Sequence, residues 1–255
     1  MKRPIITLLT DFGLSDYYVG AMKGVILGIC PDAQIVDITH DIPSYDVLEA
    51  SVVLYEACRF FPAGSIHIVV VDPGVGSARR PIAVAAKGKG IDHIFVAPDN
   101  GVLSLVSDSA AARHITNSSL FLNPVSQTFH GRDIFAPVAA RLATGTPIES
   151  VGPTVTDLVT LSSSRNPTVL RVDKFGNLQT SLRRDQLGVG FVIRVGGIEV
   201  RRVVSSYSEA VPGEVFAIEG SAGLIELCLN QESAANQLNL RRGAEFELET
   251  GTLNQ

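Results

Sequence analysis

The sequence is poor in features that mark several common classes of protein. Its three cysteines, Cys30, Cys58 and Cys228, are widely spaced along 255 residues, which favours neither a disulfide framework nor a zinc site. Such a cysteine content fits a reducing cytoplasm. Basic residues occur only in short pairs and the formal net charge is −5, which argues against a nucleic-acid-binding surface because such a surface needs clustered positive charge.

Long apolar runs are also missing. No run approaches the roughly 20 residues that span a bilayer, so no membrane segment is expected. Near the amino terminus, Asp11 interrupts a short apolar run before the core of a signal peptide can form. With 45% apolar and 18% charged residues, the composition is that of an ordinary folded protein with material for one or two hydrophobic cores.

Several active-site signatures are absent. Acidic and histidine residues between positions 11 and 72 could be imagined as a metal cluster, but no H-E-x-x-H or paired-cysteine motif supports one. Residues 74–79 lack the last glycine of the dinucleotide-binding fingerprint, and the G-x-S-x-G motif of serine hydrolases does not occur. We therefore expect neither a metal nor a cofactor.

The apolar pattern predicts two domains separated by a linker at 156–166. In residues 1–155 strand-like and helix-like segments alternate, which predicts an α/β domain with a mostly parallel sheet. Its strands are predicted at 5–9, 35–38, 66–71, 82–86 and 94–97, and its helices at 17–29, 47–58 and 133–142. Residues 167–255 contain short β-runs and one helix near Ser233, which predicts a smaller all-β barrel or sandwich. These runs lie at 168–172, 191–195, 198–204, 215–218 and 223–229.

Polar residues follow the predicted strands of the first domain, at the edge where ligands collect in α/β folds. Asp11 follows the first strand and Asp72 the third, so both are expected to face one crevice. Asp72 enters an Asp-Pro-Gly turn, and Arg79 and Arg80 lie just beyond it. Each aspartate also has a structural interpretation, because an aspartate in a turn often accepts the backbone hydrogen bonds of that turn.

Among the histidines, His130 is the candidate for a chemical role. It directly precedes a predicted helix whose start Asp133 could cap, so its imidazole could be poised for chemistry near neutral pH. The segment 99–101, Asp-Asn-Gly, is typical of a turn. No role is assigned to the remaining histidines.

Six short motifs occur in order across both predicted domains. They are Leu9-Thr10-Asp11-Phe12-Gly13, Ile29-Cys30-Pro31-Asp32, Val71-Asp72-Pro73-Gly74-Val75-Gly76, Ala97-Pro98-Asp99-Asn100-Gly101, Phe129-His130-Gly131-Arg132-Asp133 and Phe175-Gly176-Asn177. In this order they resemble the S-adenosyl-L-methionine hydroxide adenosyltransferases, the water-using relatives of the fluorinase and chlorinase. The resemblance covers essentially the whole chain.

The resemblance implies an enzyme that cleaves S-adenosyl-L-methionine at ribose C5′ with water as nucleophile, giving adenosine and L-methionine. The family's catalytic trio falls on Asp72, Arg79 and His130, with Arg80 as the alternative arginine. In the halogenating relatives the position of Asp72 is not an aspartate, and the halide pocket uses a small or hydroxylated residue near Val75. Asp72 together with Val75 therefore implies water rather than halide.

The resemblance also implies substrate contacts in both domains. Asp11 is expected on the ribose hydroxyls, because a carboxylate can accept two hydrogen bonds at once. The other expected contacts are the adenine at Asn177, the methionine ammonium at Asp173, the methionine carboxylate at Ser221, and the nucleoside wall at Glu226 and the backbone around Leu229. Members of the family are trimers, so a homotrimer is implied, with each active site between the α/β domain of one subunit and the β domain of its neighbour.

The residue types suit this chemistry independently of the resemblance. Methionine leaves a sulfonium without acid assistance, so the site must supply an aligned water and a proton acceptor. Asp72 and His130 can each accept the proton, and the arginine can orient the water or stabilise developing hydroxide. Two other functions stay open: a nucleoside-binding or sensor protein with negligible turnover, and a metal-dependent nucleoside hydrolase.

Overall fold

The two halves of the sequence fold into separate units in the computed structural model, which describes residues 3–88, 91–107, 111–161 and 166–250. The units comprise residues 1–161 and 162–255. The division falls within the stretch 156–166 that we interpret as a linker. Residues 157–161 of that stretch pack on the first unit: Arg80 donates to Asp157, and the Val159 amide donates to Asp99.

A seven-stranded mixed sheet forms the first unit. Its elements are β1 (Ile5–Thr10), α1 (Tyr18–Ile29), β2 (Gln34–Thr39), α2 (Val47–Cys58), β3 (Ile66–Val70), β4 (Pro81–Gly88), β5 (Ile91–Pro98), β6 (Ala111–His114), α3 (Ala136–Ala143) and β7 (Thr154–Val155). The strand order is β2-β1-β3-β5-β4-β6-β7. The first four strands in this order are parallel, and the other three are joined by antiparallel pairs. The α/β class is confirmed, and the expected parallel sheet occupies one half of a mixed sheet.

Helices cover both faces of the parallel half, which explains why its central strands β1 and β3 are buried and mostly apolar. Helices α1 and α3 pack on one face around Ile6 and Leu8, and α2 covers the other face around Leu9 and Val69. Helix α2 begins where Asp46 accepts a hydrogen bond from the Glu49 amide at 2.8 Å, an N-cap arrangement. Because β1 and β3 are parallel neighbours, the loops that follow them emerge at the same edge.

The second unit is β-rich and has its own core. Its elements are β8 (Val169–Val172), β9 (Leu178–Arg183), β10 (Val192–Val195), β11 (Ile198–Val200), β12 (Val203–Val204), β13 (Val215–Glu219), β14 (Leu224–Leu229), α4 (Ala234–Leu238) and β15 (Glu247–Glu249). They form a five-stranded sheet, β12-β13-β14-β9-β8, and a three-stranded sheet, β11-β10-β15. The β-rich class is confirmed. The strand predicted at 198–204 is two short strands, and β9 and β15 were not predicted.

The three cysteines are free and buried, two in the first unit and one in the second. Burial raises the pKa of the Cys58 thiol to about 11 and that of Cys228 to about 12, and it also raises the pKa of Cys30. None of the helices in the described ranges is long and apolar enough to cross a membrane.

Candidate active site

The three catalytic candidates form one hydrogen-bonded group beyond the carboxyl end of β3. Arg79 Nε lies 3.0 and 2.9 Å from the two carboxylate oxygens of Asp72, and Arg79 Nη2 lies 2.6 Å from His130 Nδ1. The Arg79 and Asp72 side chains are only 8% and 5% exposed, so this ion pair is shielded from water. The structure thus brings together three residues that are up to 58 positions apart in sequence, from 72 to 130.

Glycines allow the loop after β3 to reach this geometry. Gly76 has a φ of +76°, and a Cβ there would lie 2.4 Å from the Gln127 carbonyl oxygen. A Cβ on Gly74 would lie 3.2 Å from Arg79 Cγ. The loop can therefore pack against both the Arg79 side chain and the backbone that leads to His130 because these two positions carry no side chain.

The two adjacent arginines hold different carboxylates. Arg79 pairs with Asp72, whereas Arg80 Nε donates to Asp99 Oδ2 at 2.8 Å and Arg80 Nη1 donates to Asp157 Oδ1 at 2.8 Å. The geometry therefore distinguishes the two arginines between which the sequence could not choose. Arg79 is the one that contacts both Asp72 and His130.

The hydrogen bond from Arg79 fixes the ionisation state of His130. Burial, and then the positive charge of Arg79, lower the pKa of His130 against the opposing charges of Asp72 and Asp133. A guanidinium can only donate, so His130 Nδ1 accepts and the neutral ring carries its hydrogen on Nε2. While this bond persists, the group offers the cavity a hydrogen-bond acceptor in the Asp72 carboxylate and a hydrogen-bond donor in His130 Nε2–H.

The chain after His130 differs from the expected capped helix. Residues Gly131–Phe135 form a π-helical turn that leads directly into α3. Asp133 does not cap the helix: its carboxylate accepts from the Ser126 amide at 2.8 Å and pairs with Arg132. It ties the segment before His130 to the turn after it. Single π-turns of this kind recur at functional sites.

A cavity of about 220 Å³ opens beside this group at the edge shared by β1 and β3. Its lining includes Asp11, Asp72, Val75 and His130, so the expected crevice exists in the first unit. Asp11 Oδ2 accepts from the amide of Tyr45, at 2.8 Å. Helix α1 begins at Tyr18, and thus Asp11 is not part of its first turn.

Three aromatic residues of this lining were missed by sequence reasoning. Phe12 and Phe129 pack edge to face, with ring centroids 5.9 Å apart, and both line the cavity. Their positions next to Asp11 and His130 in the motifs are the signal that could have identified them. Tyr45 also lines the cavity and is 71% exposed, with a φ of +67°. Nothing local in the sequence indicates that role.

In the second unit, Asp173 and Asn177 belong to the turn between β8 and β9. Asp173 Oδ1 accepts from the amides of Phe175 and Asn177 at 2.8 and 2.9 Å, and Oδ2 accepts from Asn177 Nδ2 at 2.9 Å. The carboxylate of Asp173 therefore stabilises its own turn. It also fixes the orientation of the buried Asn177 side chain.

The remaining candidates of this unit do not all share one cavity. Asn177 and Leu229 line a cavity of about 500 Å³ with Phe175 and Tyr207, whereas Ser221 and Glu226 are not part of its lining. Ser221 is exposed in the turn between β13 and β14. Glu226, on β14, receives a hydrogen bond from Gln179 at 3.2 Å. Burial, and then the charge of Asp173, raise the pKa of Glu226.

The described part of the chain contains no group of three or more His, Cys, Asp or Glu residues placed to hold a metal ion. The acidic and histidine residues between positions 11 and 72 are thus not assembled into such a cluster. Asp37, for example, pairs instead with Lys23 and His40.

Comparison with known proteins identifies relatives over nearly the full chain. "(R)-S-adenosyl-L-methionine hydrolase" of Salinispora tropica is 38% identical, with 97% of this chain and 98% of that protein covered. The protein of the same name from Thermus thermophilus is 39% identical, with 96% and 99% covered. A "Fluorinase" of Nocardia brasiliensis is 28% identical, with 98% of each chain covered.

Solved structures share the fold. An uncharacterized conserved protein from Thermotoga maritima superimposes with a TM-score of 0.84 at 38% identity, covering 95% of this chain and 99% of that one. The profile of the SAM hydroxide adenosyltransferase N-terminal domain matches residues 6–152, and that of the C-terminal domain matches residues 167–247. With both domains matched in order, the chain belongs to the SAM hydroxide adenosyltransferase family.

Proposed function

We propose that this protein hydrolyses S-adenosyl-L-methionine at ribose C5′ to adenosine and L-methionine. The observation that carries the proposal is the buried Asp72–Arg79 ion pair with His130, beside a cavity whose lining also includes Asp11. A carboxylate acceptor and an imidazole donor at one cavity are the groups needed to hold and deprotonate a water. The hydrolase relatives, 33–39% identical, support the same reaction.

In the proposed mechanism the protein aligns a water rather than assisting the leaving group. The sulfonium becomes neutral methionine as the C–S bond breaks, so no acid is required. The water forms the new bond to C5′ and gives its proton to Asp72, while His130 Nε2–H fixes its orientation. Arg79 holds both groups and stabilises the negative charge of the attacking oxygen. Asp11 holds the ribose hydroxyls.

The relatives' name specifies the (R) form, and we propose this form as the preferred substrate here. Water, rather than halide, is the proposed nucleophile. Asp72 supports this choice, because a carboxylate lining the cavity repels a halide ion and attracts a water hydrogen. Val75 supports it because it is not the hydroxylated or small residue that the halide pocket of the halogenating relatives uses.

We further propose a homotrimer whose active sites each combine the first unit of one subunit with the second unit of a neighbour. The candidate residues support this, since they are divided between the two units. Two exposed aromatic side chains also support an interface: Tyr45, which lines the first-unit cavity, is 71% exposed, and Tyr17, whose ring packs on that of the lining residue Phe129, is 65% exposed. In that assembly Asn177 contacts the adenine, and Asp173, Ser221, Glu226 and Leu229 complete the site. The free cysteines support a cytoplasmic location.

A product assay tests the proposed reaction. Purified protein, with no metal added, is incubated with separated (R) and (S) epimers of S-adenosyl-L-methionine. We expect adenosine and methionine in equal amounts, faster from the (R) epimer and unaffected by excess chloride. Absence of adenosine after hours with retained adenosine binding would favour the sensor function. Loss of turnover with chelator, restored by a divalent ion, would favour the metal-dependent hydrolase.

A further inference from the structure

The segment 99–101 is a sequence motif that the proposed reaction leaves without a role. It follows β5, which pairs in parallel with β3, so it lies at the same edge of the sheet as Asp72. Asn100 Nδ2 donates to the Val71 carbonyl oxygen at 2.9 Å, and Asn100 Oδ1 accepts from the Val102 amide at 3.2 Å. The asparagine therefore joins its own turn to the residue directly before Asp72.

Asp99 holds Arg80, the neighbour of the other member of the ion pair. Its side chain is only 2% exposed; Oδ2 accepts from Arg80 Nε at 2.8 Å and Oδ1 accepts from the Val159 amide at 2.9 Å. The Asp99 amide also donates to the Arg80 carbonyl oxygen at 2.8 Å. Arg80 is thus held through both its backbone and its side chain. It is the residue directly after Arg79.

One dipeptide therefore anchors both members of the Asp72–Arg79 ion pair through their immediate neighbours. We propose that Asp99 and Asn100 are positioning residues that set the geometry of this pair for hydrolysis, an inference that rests on the proposed function. Neither residue belongs to the cavity lining. They act through Val71 and Arg80.

The proposed role predicts a specific kinetic effect. Asp72 must lie within hydrogen-bond reach of the water, and a displacement of about 1 Å in such a site can cost about 10²-fold in rate. Loss of the Asn100 amide frees the Val71 carbonyl to turn, which moves Asp72 relative to Arg79. Asn100 does not line the cavity in which the nucleoside is proposed to bind. Turnover should therefore fall while nucleoside affinity is kept.

The kinetic test uses Asn100→Ala and Asn100→Asp. The aspartate variant keeps the shape and the acceptor for Val102, but it places an oxygen against the Val71 carbonyl where the amide donated. We expect kcat to fall at least about 10-fold in both variants, with the Kd of adenosine changed less than about 3-fold. The matched control is Ser104→Ala, because Ser104 Oγ donates to the Gly101 carbonyl oxygen of the same turn and accepts from the distant Leu161 amide, without touching Val71 or Arg80. Its kcat should stay within about 2-fold of wild type.

A second pair of variants covers the case in which both Asn100 variants fail to fold. Asp99→Asn and Asp157→Asn each remove a carboxylate from Arg80, but Asp157 is 81% exposed and only Asp99 adjoins Asn100. We expect kcat to fall at least about 5-fold in the first and to stay within about 2-fold in the second. Equal effects in the two variants would overturn the proposal. So would unchanged kcat per folded molecule, with only a lower Tm, in the Asn100 variants.

A spectroscopic measurement separates this inference from the proposed function. The Nε–H proton of Arg79, identified by its loss in Arg79→Lys, should give a slowly exchanging NMR signal because Asp72 accepts it. We expect faster exchange in Asn100→Ala and Asn100→Asp, and wild-type exchange in Ser104→Ala. If the wild type does not turn over S-adenosyl-L-methionine, the proposed function fails. The exchange rate of the Arg79 Nε–H proton then tests by itself whether Asn100 positions the Asp72–Arg79 pair. Unchanged exchange in both Asn100 variants overturns the positioning role.

Discussion

At the residue scale, Arg79 determines what its two neighbours can do. A guanidinium has several donors in a fixed fork, so it can hold the Asp72 carboxylate and the His130 ring nitrogen at the same time. Burial, and then the positive charge of Arg79, lower the pKa of His130, and the same guanidinium complements the Asp72 carboxylate. The group is therefore set up with one acceptor and one donor before any substrate enters.

Substitutions of the two cavity aspartates should separate chemistry from binding. Asp72→Asn removes the proton acceptor, so we expect kcat to fall by about 10²-fold or more. Asp11→Asn keeps an oxygen that can accept from the Tyr45 amide but loses the charge, and we expect substrate and adenosine binding to weaken together by about 1–3 kcal/mol. Single-turnover kinetics and adenosine calorimetry measure the two effects. Near-normal turnover in Asp72→Asn would contradict the assigned roles.

Another residue-scale prediction concerns His67, which is fully buried with its Nδ1 2.7 Å from Thr7 Oγ1. Burial, and then the neighbouring His93, lower the pKa of His67 to about 3. The unfolded chain binds a proton there near pH 6.5, so the folded state loses stability as the pH falls from about 6.5 toward 3. The expected slope is up to about 1.4 kcal/mol per pH unit.

Urea unfolding at several pH values measures this slope. His67→Asn cannot ionise but retains a polar partner for Thr7, so its free energy of unfolding should depend less on pH, even though the variant is less stable at pH 7.5. Parallel pH curves for wild type and His67→Asn would contradict the prediction.

At the element scale, the contact between the loop after β3 and the segment before His130 depends on Gly76. Gly76→Ala places a Cβ against the Gln127 carbonyl, which must move, so the bond from Arg79 to His130 should be lost. We expect turnover to fall at least about 10-fold with the fold retained. Gly64→Ala is the control, because Gly64 has a similar φ of +83° with nothing within 4 Å of its Cβ position. It should cost about 1 kcal/mol of stability and no activity.

The sequence predicted elements well where local signals agree with burial. Helix α2 was predicted at its observed limits, because apolar residues recur along the whole segment and Asp46 caps its start in the structure. Strand β9 was missed because it does not alternate: Gln179 and Thr180 are polar and buried. They are accommodated by partners on β14, with Thr180 Oγ1 donating to the Ile225 carbonyl at 2.7 Å. Such partners are invisible in a linear pattern.

The same limit applies to the candidate site. Asp72, Arg79 and His130 were identified from their motifs, and the structure places them together. The choice between Arg79 and Arg80 could not be made from sequence. Adjacent residues of an extended segment point to opposite sides, and the sequence does not reveal which side faces Asp72. Tyr45 could not be predicted because its place at the cavity is set by a long-range bond to Asp11.

At the scale of the whole molecule, the proposed shared site predicts complementation. Asp72→Asn disables the first unit and Asn177→Ala the second, so each homotrimer should be nearly inactive. In a trimer that contains both variants, some sites combine the intact first unit of an Asn177→Ala subunit with the intact second unit of an Asp72→Asn subunit. Co-expression should therefore restore a substantial fraction of the turnover per site. Light scattering measures the trimer, and an active monomer would contradict the assembly. The control combines Asp72→Asn with His130→Ala, which damage the same unit and should not complement each other.

The buried cysteines make each unit report its own opening. A thiol reagent attacks the thiolate, and burial both hides the sulfur and raises its pKa, so labelling requires local or global exposure. Cys30 and Cys58 lie in the first unit and Cys228 in the second. The labelling rates of these positions, followed by mass spectrometry, therefore measure the opening of each unit separately within one chain. Equal rates would indicate that the two units unfold together, and different rates that one unit opens before the other.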